Sequence, residues 1–106
     1  MKMYCIADAE TVRGFRLAGV AGQAVTSAQE AARAIESATS QPDYAIIVLT
    51  EKVADSIRAQ VDRIRLETQT RLLVEIPGPD GPLPGRKSLR QLAQEAVGIH
   101  LEEKAN

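Results

Sequence analysis

Short, near-continuous apolar runs alternate along the chain with stretches of helical periodicity. Residues 3–7 (MYCIA), 44–49 (YAIIVL) and 71–76 (RLLVEI) are such runs, each bounded by polar residues. A strand with one wet face alternates apolar and polar side chains, whereas an unbroken run fits a strand buried on both faces. Residues 23–26 supply a weaker, short second strand. Strands separated by helical segments predict βαβ units, right-handed crossovers and a parallel sheet. The expected fold is α/β: a small four-stranded parallel sheet in flavodoxin-like order 2-1-3-4, flanked by helices, with a tethered C-terminal helix. Aromatics are only 3% of the 106 residues, so the core has to be built from Ala, Val, Ile and Leu.

The helical segments carry their own signals. Over residues 11–20, Val12, Phe15 and Ala18 or Gly19 recur at helical spacing. In SAQEAARAIESATS (27–40), Ser27 and Glu30 form a capping-box pattern, which satisfies amides of the first turn, and Ala28, Ala31, Ala32 and Ile35 are expected on the buried face. Thr50 is placed to cap one helix carrying Val53, Ile57, Val61 and Ile64 on a single stripe. Asp8 is read as the cap of the first helix.

PGPDGPLPG, residues 77–85, contains four prolines and three glycines in nine positions and cannot continue a helix or an internal strand. It is read as a semi-rigid tether, extended where proline dominates. Beyond it, Ser88 and Gln91 offer a second capping box, Leu89, Leu92, Ala93, Ala96 and Val97 make an apolar stripe, and Gly98 suits a C-terminal cap. The expected organisation is an α/β domain over 1–76, the tether over 77–85, and an amphipathic helix and tail over 86–106. That helix has two open placements: packed on the sheet as a last layer, or presenting its stripe to a partner.

Most chemistry is excluded by what the residues lack. GFRLAGVAG (14–22) has the glycine spacing of a phosphate loop at Gly14 and Gly19, but Val20 and Ala21 stand where lysine and a hydroxyl residue would be needed. Its glycines also fail the dinucleotide pattern, and two glycines within a helix, each costing about 1 kcal/mol relative to alanine, instead suggest close approach of helix to sheet or to a partner. Asp8 and Glu10 follow the first strand, as a receiver domain's magnesium-binding carboxylates would, yet the third strand ends Leu49-Thr50-Glu51-Lys52 without a phosphoacceptor Asp. A lone cysteine, Cys5 within MYCIA, excludes an internal disulfide and reads as a buried small hydrophobe. His100 is the single histidine, too few for a histidine metal site, and reads as solvated. No catalytic, cofactor or metal residue is assigned. A net charge of −1 and few aromatics point away from nucleic acid. The absence of a signal segment or a long apolar run points to a cytoplasmic chain without membrane insertion.

One segment carries a resemblance. IADAETVRGFRLAGV (6–20) closely resembles the start of the F subunit of V-type (archaeal and bacterial A/V-type) ATPases, through Thr11, Val12, Gly14, Phe15, Arg16, Leu17, Ala18 and Gly19. Thr50-Glu51, Ile76-Pro77 with its glycine-containing loop, and Ala96-Val97-Gly98-Ile99 match more weakly over the rest of the chain. The resemblance implies a non-catalytic component of the central rotor stalk, peripheral to the membrane. It would bind the coiled-coil D subunit, work with the catalytic hexamer and the ring-connecting subunit, and tune ATPase activity through its C-terminal helix. On that basis Leu89, Leu92, Ala93, Ala96, Val97 and Ile99 are expected contacts to the D subunit, with Arg13 and Arg16 as a second set. The alternative reading is a stand-alone, receiver-like α/β signalling module, degenerate at its phosphorylation site, with the last helix as its output element.

Overall fold

The computed structural model describes residues 2–68 and 70–83. The elements run β1 (Lys2–Ala7), α1 (Ala9–Leu17), β2 (Ala21–Ala24), α2 (Ala28–Thr39), β3 (Tyr44–Thr50), α3 (Glu51–Ser56), α4 (Arg58–Glu67) and β4 (Leu72–Ile76). All strand pairs are parallel and the sheet order is β2-β1-β3-β4, the expected topology. The expected C-terminal helix, with its Gly98 cap and His100, lies outside the described residues.

The central strands β1 and β3 carry the core where the unbroken apolar runs placed it. Ile6, Ile47 and Leu49 are fully buried and pack with Ala31, Ala34 and Ile35 of α2, Ala54 of α3, Ile57 and Val61 of α4. Each large aliphatic buried this way contributes about 1.5–3 kcal/mol. On the other face a smaller cluster joins Cys5, Ala7 and Val12, with Phe15 against it, so α1 is the described helix on that side. Tyr4 and Tyr44 stack at the far end, ring centroids 4.6 Å apart.

Several expectations shift. Helix α1 stops at Leu17, three residues before the predicted end. Gly19 takes φ +88°, its amide bonds the Arg16 carbonyl and the Val20 amide bonds the Phe15 carbonyl, both at 2.9 Å. That is a Schellman closure, which needs a left-handed residue and therefore glycine. The first helix thus holds one glycine, Gly14, and a Cβ there would meet nothing within 4 Å, so contact with the sheet is not its reason. Close approach occurs instead at Gly22 in β2, where a Cβ would lie 2.6 Å from the Cys5 carbonyl oxygen.

In α2 the buried face is Ala31, Ala34, Ile35 and Ala38, while Ala28 is exposed and Ala32 only half-buried. Five alanines in this stretch make the stripe ambiguous by one position. Ser27 caps α2 as expected, accepting from the Glu30 amide at 3.1 Å, but the Glu30 carboxylate reaches back to the amide and hydroxyl of Thr26 rather than to the Ser27 amide. The single helix expected after Thr50 is two, broken at Ile57 (φ −130°, ψ 37°). Ser56 donates its hydroxyl to the Val53 carbonyl at 2.6 Å and the Ile57 amide turns to Ala54, tightening the last turn before the Val61 amide restarts the ladder on the Ile57 carbonyl. Ile57 and Val61 stay buried and Val53 and Ile64 pack beside them, so the stripe survives the break.

Candidate functional site

The C-terminal ends of the strands converge on a crevice of about 390 Å³ beside the point where strand order reverses between β1 and β3. Open α/β sheets place ligand sites there. Its polar lining comes from Asp8 and Glu10 at the start of α1, Ser27 at the start of α2, Thr50 and Lys52 at the start of α3, and Asp80 from the loop after β4.

The key lining groups are engaged in closing helices. Asp8 accepts from the Thr11 amide at 3.0 Å and from its hydroxyl at 2.8 Å. Burial opposes ionisation of Asp8, but these hydrogen bonds outweigh it and hold the carboxyl below its ordinary range. Ser27 serves α2, and the Thr50 hydroxyl accepts from the Val53 amide at 3.3 Å. Thr50 occupies the tip of β3, where the receiver chemistry would require its carboxylate, and it is buried. Among the described residues, no three His, Cys, Asp or Glu side chains gather into a metal cage.

The loop after β4 roofs the crevice in a way that differs from the extended tether expected of it. Residues 78–81 do not extend. Gly78 and Gly81 bridge in antiparallel fashion, the Gly81 amide bonds the Gly78 carbonyl at 3.0 Å, and Gly81 sits at φ +91°. Gly-Pro-Asp-Gly, with proline second and glycine fourth, is turn composition, a signal masked by the overall proline richness. The Leu83 amide then donates to the buried Glu51 carboxylate at 3.1 Å, tying the exit of the loop to the start of α3.

Arg13 and Arg16 sit three apart on exposed α1, but they do different things. Arg16 donates to the Gly22 carbonyl of edge strand β2 at 3.0 Å, a local contact that is neither free solvation nor an ion pair. Arg13 is exposed, as is Leu17 beside it at 86% exposure. The other partner-binding expectations, Leu89, Leu92, Ala93, Ala96, Val97 and Ile99, lie outside the described residues.

Residues 3–93 match the family described as the ATP synthase (F/14-kDa) subunit. The chain belongs to this family, as an F subunit of the A/V-type ATP synthases. It is 32% identical over 103 residues to the A-type ATP synthase F subunit of Methanocaldococcus jannaschii, covering 96% of this chain and all of that relative. It is 31% identical to the A-type F subunit of Methanococcus maripaludis, again over 96% of this chain and all of the relative. The V-type ATP synthase F subunit of Thermus thermophilus is 29% identical over 94% of this chain and 99% of its own length. The resemblance carried by residues 11–19 therefore extends across the chain, and the signalling-module alternative is set aside.

Within the F-subunit family pattern, the recognisable residues have structural duties here: Thr11 bonds the Asp8 cap, Val12 fills the core, Arg16 holds β2, and Gly19 closes the helix. Gly14 and Leu17 have no such duty visible within the described residues. No described helix is long and apolar enough to cross a membrane.

Proposed function

We propose that the chain is a non-catalytic component of the central rotor stalk, binding the coiled-coil D subunit and turning with it inside the catalytic hexamer, peripheral to the membrane on the cytoplasmic side. The observation that carries this reading is the end-to-end match to F subunits of A- and V-type ATP synthases. The crevice chemistry supports it: the hydroxyls and carboxylate that line it are consumed as helix caps, which suits a rigid coupling body. The C-terminal stripe of Leu89, Leu92, Ala93, Ala96, Val97 and Ile99 is the main contact to the D subunit, with Arg13 and Arg16 adding charge at the flank. Through the same stripe the chain adjusts ATPase activity, and the ring-connecting subunit lies beyond the shaft's end.

The test is affinity for the D subunit from the same genome, measured by calorimetry on the full chain. Leu89→Ala and Leu92→Ala are each expected to weaken binding by about 1–3 kcal/mol, the range of an anchoring interface side chain. Unchanged affinity in both variants would remove the stripe from the interface. Absence of any complex with the unaltered chain would overturn the rotor reading itself.

A further inference from the structure

The α1 side of the sheet carries an apolar strip over β3 and β4 that no described helix covers. Cys5 pairs with Val48 and Val48 with Val74, and residues in register on parallel strands share a face, so these lie on the side of α1. Strand alternation adds Ile46, Leu72 and Ile76 to the same face. Helices α2, α3 and α4 all pack on the opposite face, and α1 lies over β1 and β2. Leu72 is consequently 58% exposed, and Ile46, Val74 and Ile76 are only half-buried. Parallel sheets are ordinarily covered on both faces, because their strands are apolar on both.

We propose that this strip is the seat of residues 88–98 of the same chain in the free protein. Three considerations single out that occupant. The first is the point of departure: the Leu83 amide is held by Glu51 at the C-terminal end of β3, so the following residues start from the end of the sheet where a returning helix must begin. Residues 84–87 can reach about 14 Å when extended, enough to step over the sheet end.

The second is length. An 11-residue helix is about 16 Å long, and the five residues of β4 at about 3.3 Å each span the same distance. The third is width and chemistry. Two strands about 4.8 Å apart present a strip about 10 Å wide, which one helix of about 10–12 Å diameter covers. Leu89 and Leu92 then meet Ile76 and Val74, and the small Ala93 and Ala96 admit close approach nearer Leu72. A second copy of the chain fits poorly, since so narrow a strip falls far short of the about 800 Å² per partner in a stable interface.

Because the stripe assigned to the D subunit is the one that would be seated here, seat and partner exclude one another. That consequence rests on the D-binding reading; the docking does not.

The experiment uses the full chain with a nitroxide on Gln94→Cys, off the apolar stripe, and reads paramagnetic broadening of backbone amides by NMR. Cys5 is fully buried, so the label goes to position 94. Amides of Ile46, Leu72, Val74 and Ile76 are expected to broaden several-fold more than those of Ala34 and Val61 on the opposite face. The effect should persist on tenfold dilution and be largely lost when Leu72→Asp, a change at an already exposed position, is added. Broadening with no preference for the strip, broadening that disappears on dilution, or broadening indifferent to Leu72→Asp would each overturn the seat. No rotor partner is present, so a failure here leaves the D-binding reading standing, and the reverse.

Discussion

Arg58 grips Glu75 with both guanidinium nitrogens, each 2.7 Å from a carboxylate oxygen, and so clamps the first turn of α4 to edge strand β4. Arg65 adds a further bond to the same carboxylate at 2.9 Å and another to the Leu73 carbonyl, on the backbone edge that β4 would otherwise present unpaired. Two-pronged arginine–carboxylate pairs are among the stronger polar contacts, and guarding an edge strand with charge suppresses strand addition by other chains.

Replacing Glu75 with Gln should therefore cost about 1–3 kcal/mol of stability at neutral pH, the range for hydrogen bonds to charged groups. The Arg58 hydrogen bonds, against partial burial and with help from Arg65, hold the Glu75 carboxyl below its ordinary 4.5. A depressed carboxyl contributes stability that is complete above its unfolded value and is lost as pH falls through its folded value. The gap between the unaltered chain and Glu75→Gln should thus be constant from pH 7 down to about 5 and narrow below about 4.5. Urea titrations of both proteins across that range measure it. A gap that stays constant below pH 4 would show that the clamp does not draw on the ionised carboxylate.

Three glycines sit within nine residues, 14–22, and their substitutions should differ in sign. Gly14→Ala enters open space inside α1 and should raise stability by about 0.5–1 kcal/mol through helix propensity. Gly19→Ala forces a side chain into φ +88° and should lower it by about 1 kcal/mol. Gly22→Ala pushes a Cβ to 2.6 Å from the Cys5 carbonyl oxygen, with Val12 Cγ1 at 3.3 Å, so β2 must move away from β1 at a cost of about 1–3 kcal/mol or more. Thermal melts of the three variants should give one rise and two falls. If Gly14→Ala also weakens binding to the D subunit while stabilising the free chain, the open space at Gly14 belongs to the partner.

The difference among those glycines also shows how far the sequence can be read. Strand identity and sheet order are legible because unbroken apolar runs have one economical placement, between helices on both faces. Helix ends are less so: Gly19 has the look of a further helical position, and only the hydrogen bonds to the Arg16 and Phe15 carbonyls reveal it as a terminator. The alanine face of α2 is blurred because alanines at 28, 31, 32, 34 and 38 leave no contrast between inside and outside. The break at Ile57 has no apolar signature, since the stripe continues through it. At the crevice, Asp8 and Thr50 are recognisable as caps from their types and positions. The Glu51–Leu83 tie is not, because it joins residues 32 apart in sequence.

Cys5 provides a direct reading of how rigidly the two central strands are held. Its side chain is fully buried, and burial, with the nearby Asp8 charge, pushes the thiol up to about 11. A thiol reacts as the thiolate, so both accessibility and ionisation oppose its modification in the folded chain. At pH 8 a small disulfide reagent should therefore modify Cys5 at least about 1,000-fold more slowly than in the urea-unfolded chain, limited by opening of β1 from its neighbours. Because that opening must expose Gly22's partner strand, Gly22→Ala should accelerate the reaction, whereas Gly14→Ala should leave it unchanged or slower. Fast labelling of the unaltered chain, within a factor of about ten of the unfolded rate, would mean that β1 and β2 separate readily, and the packing around Cys5 and Val12 would no longer account for the stability of that half of the sheet.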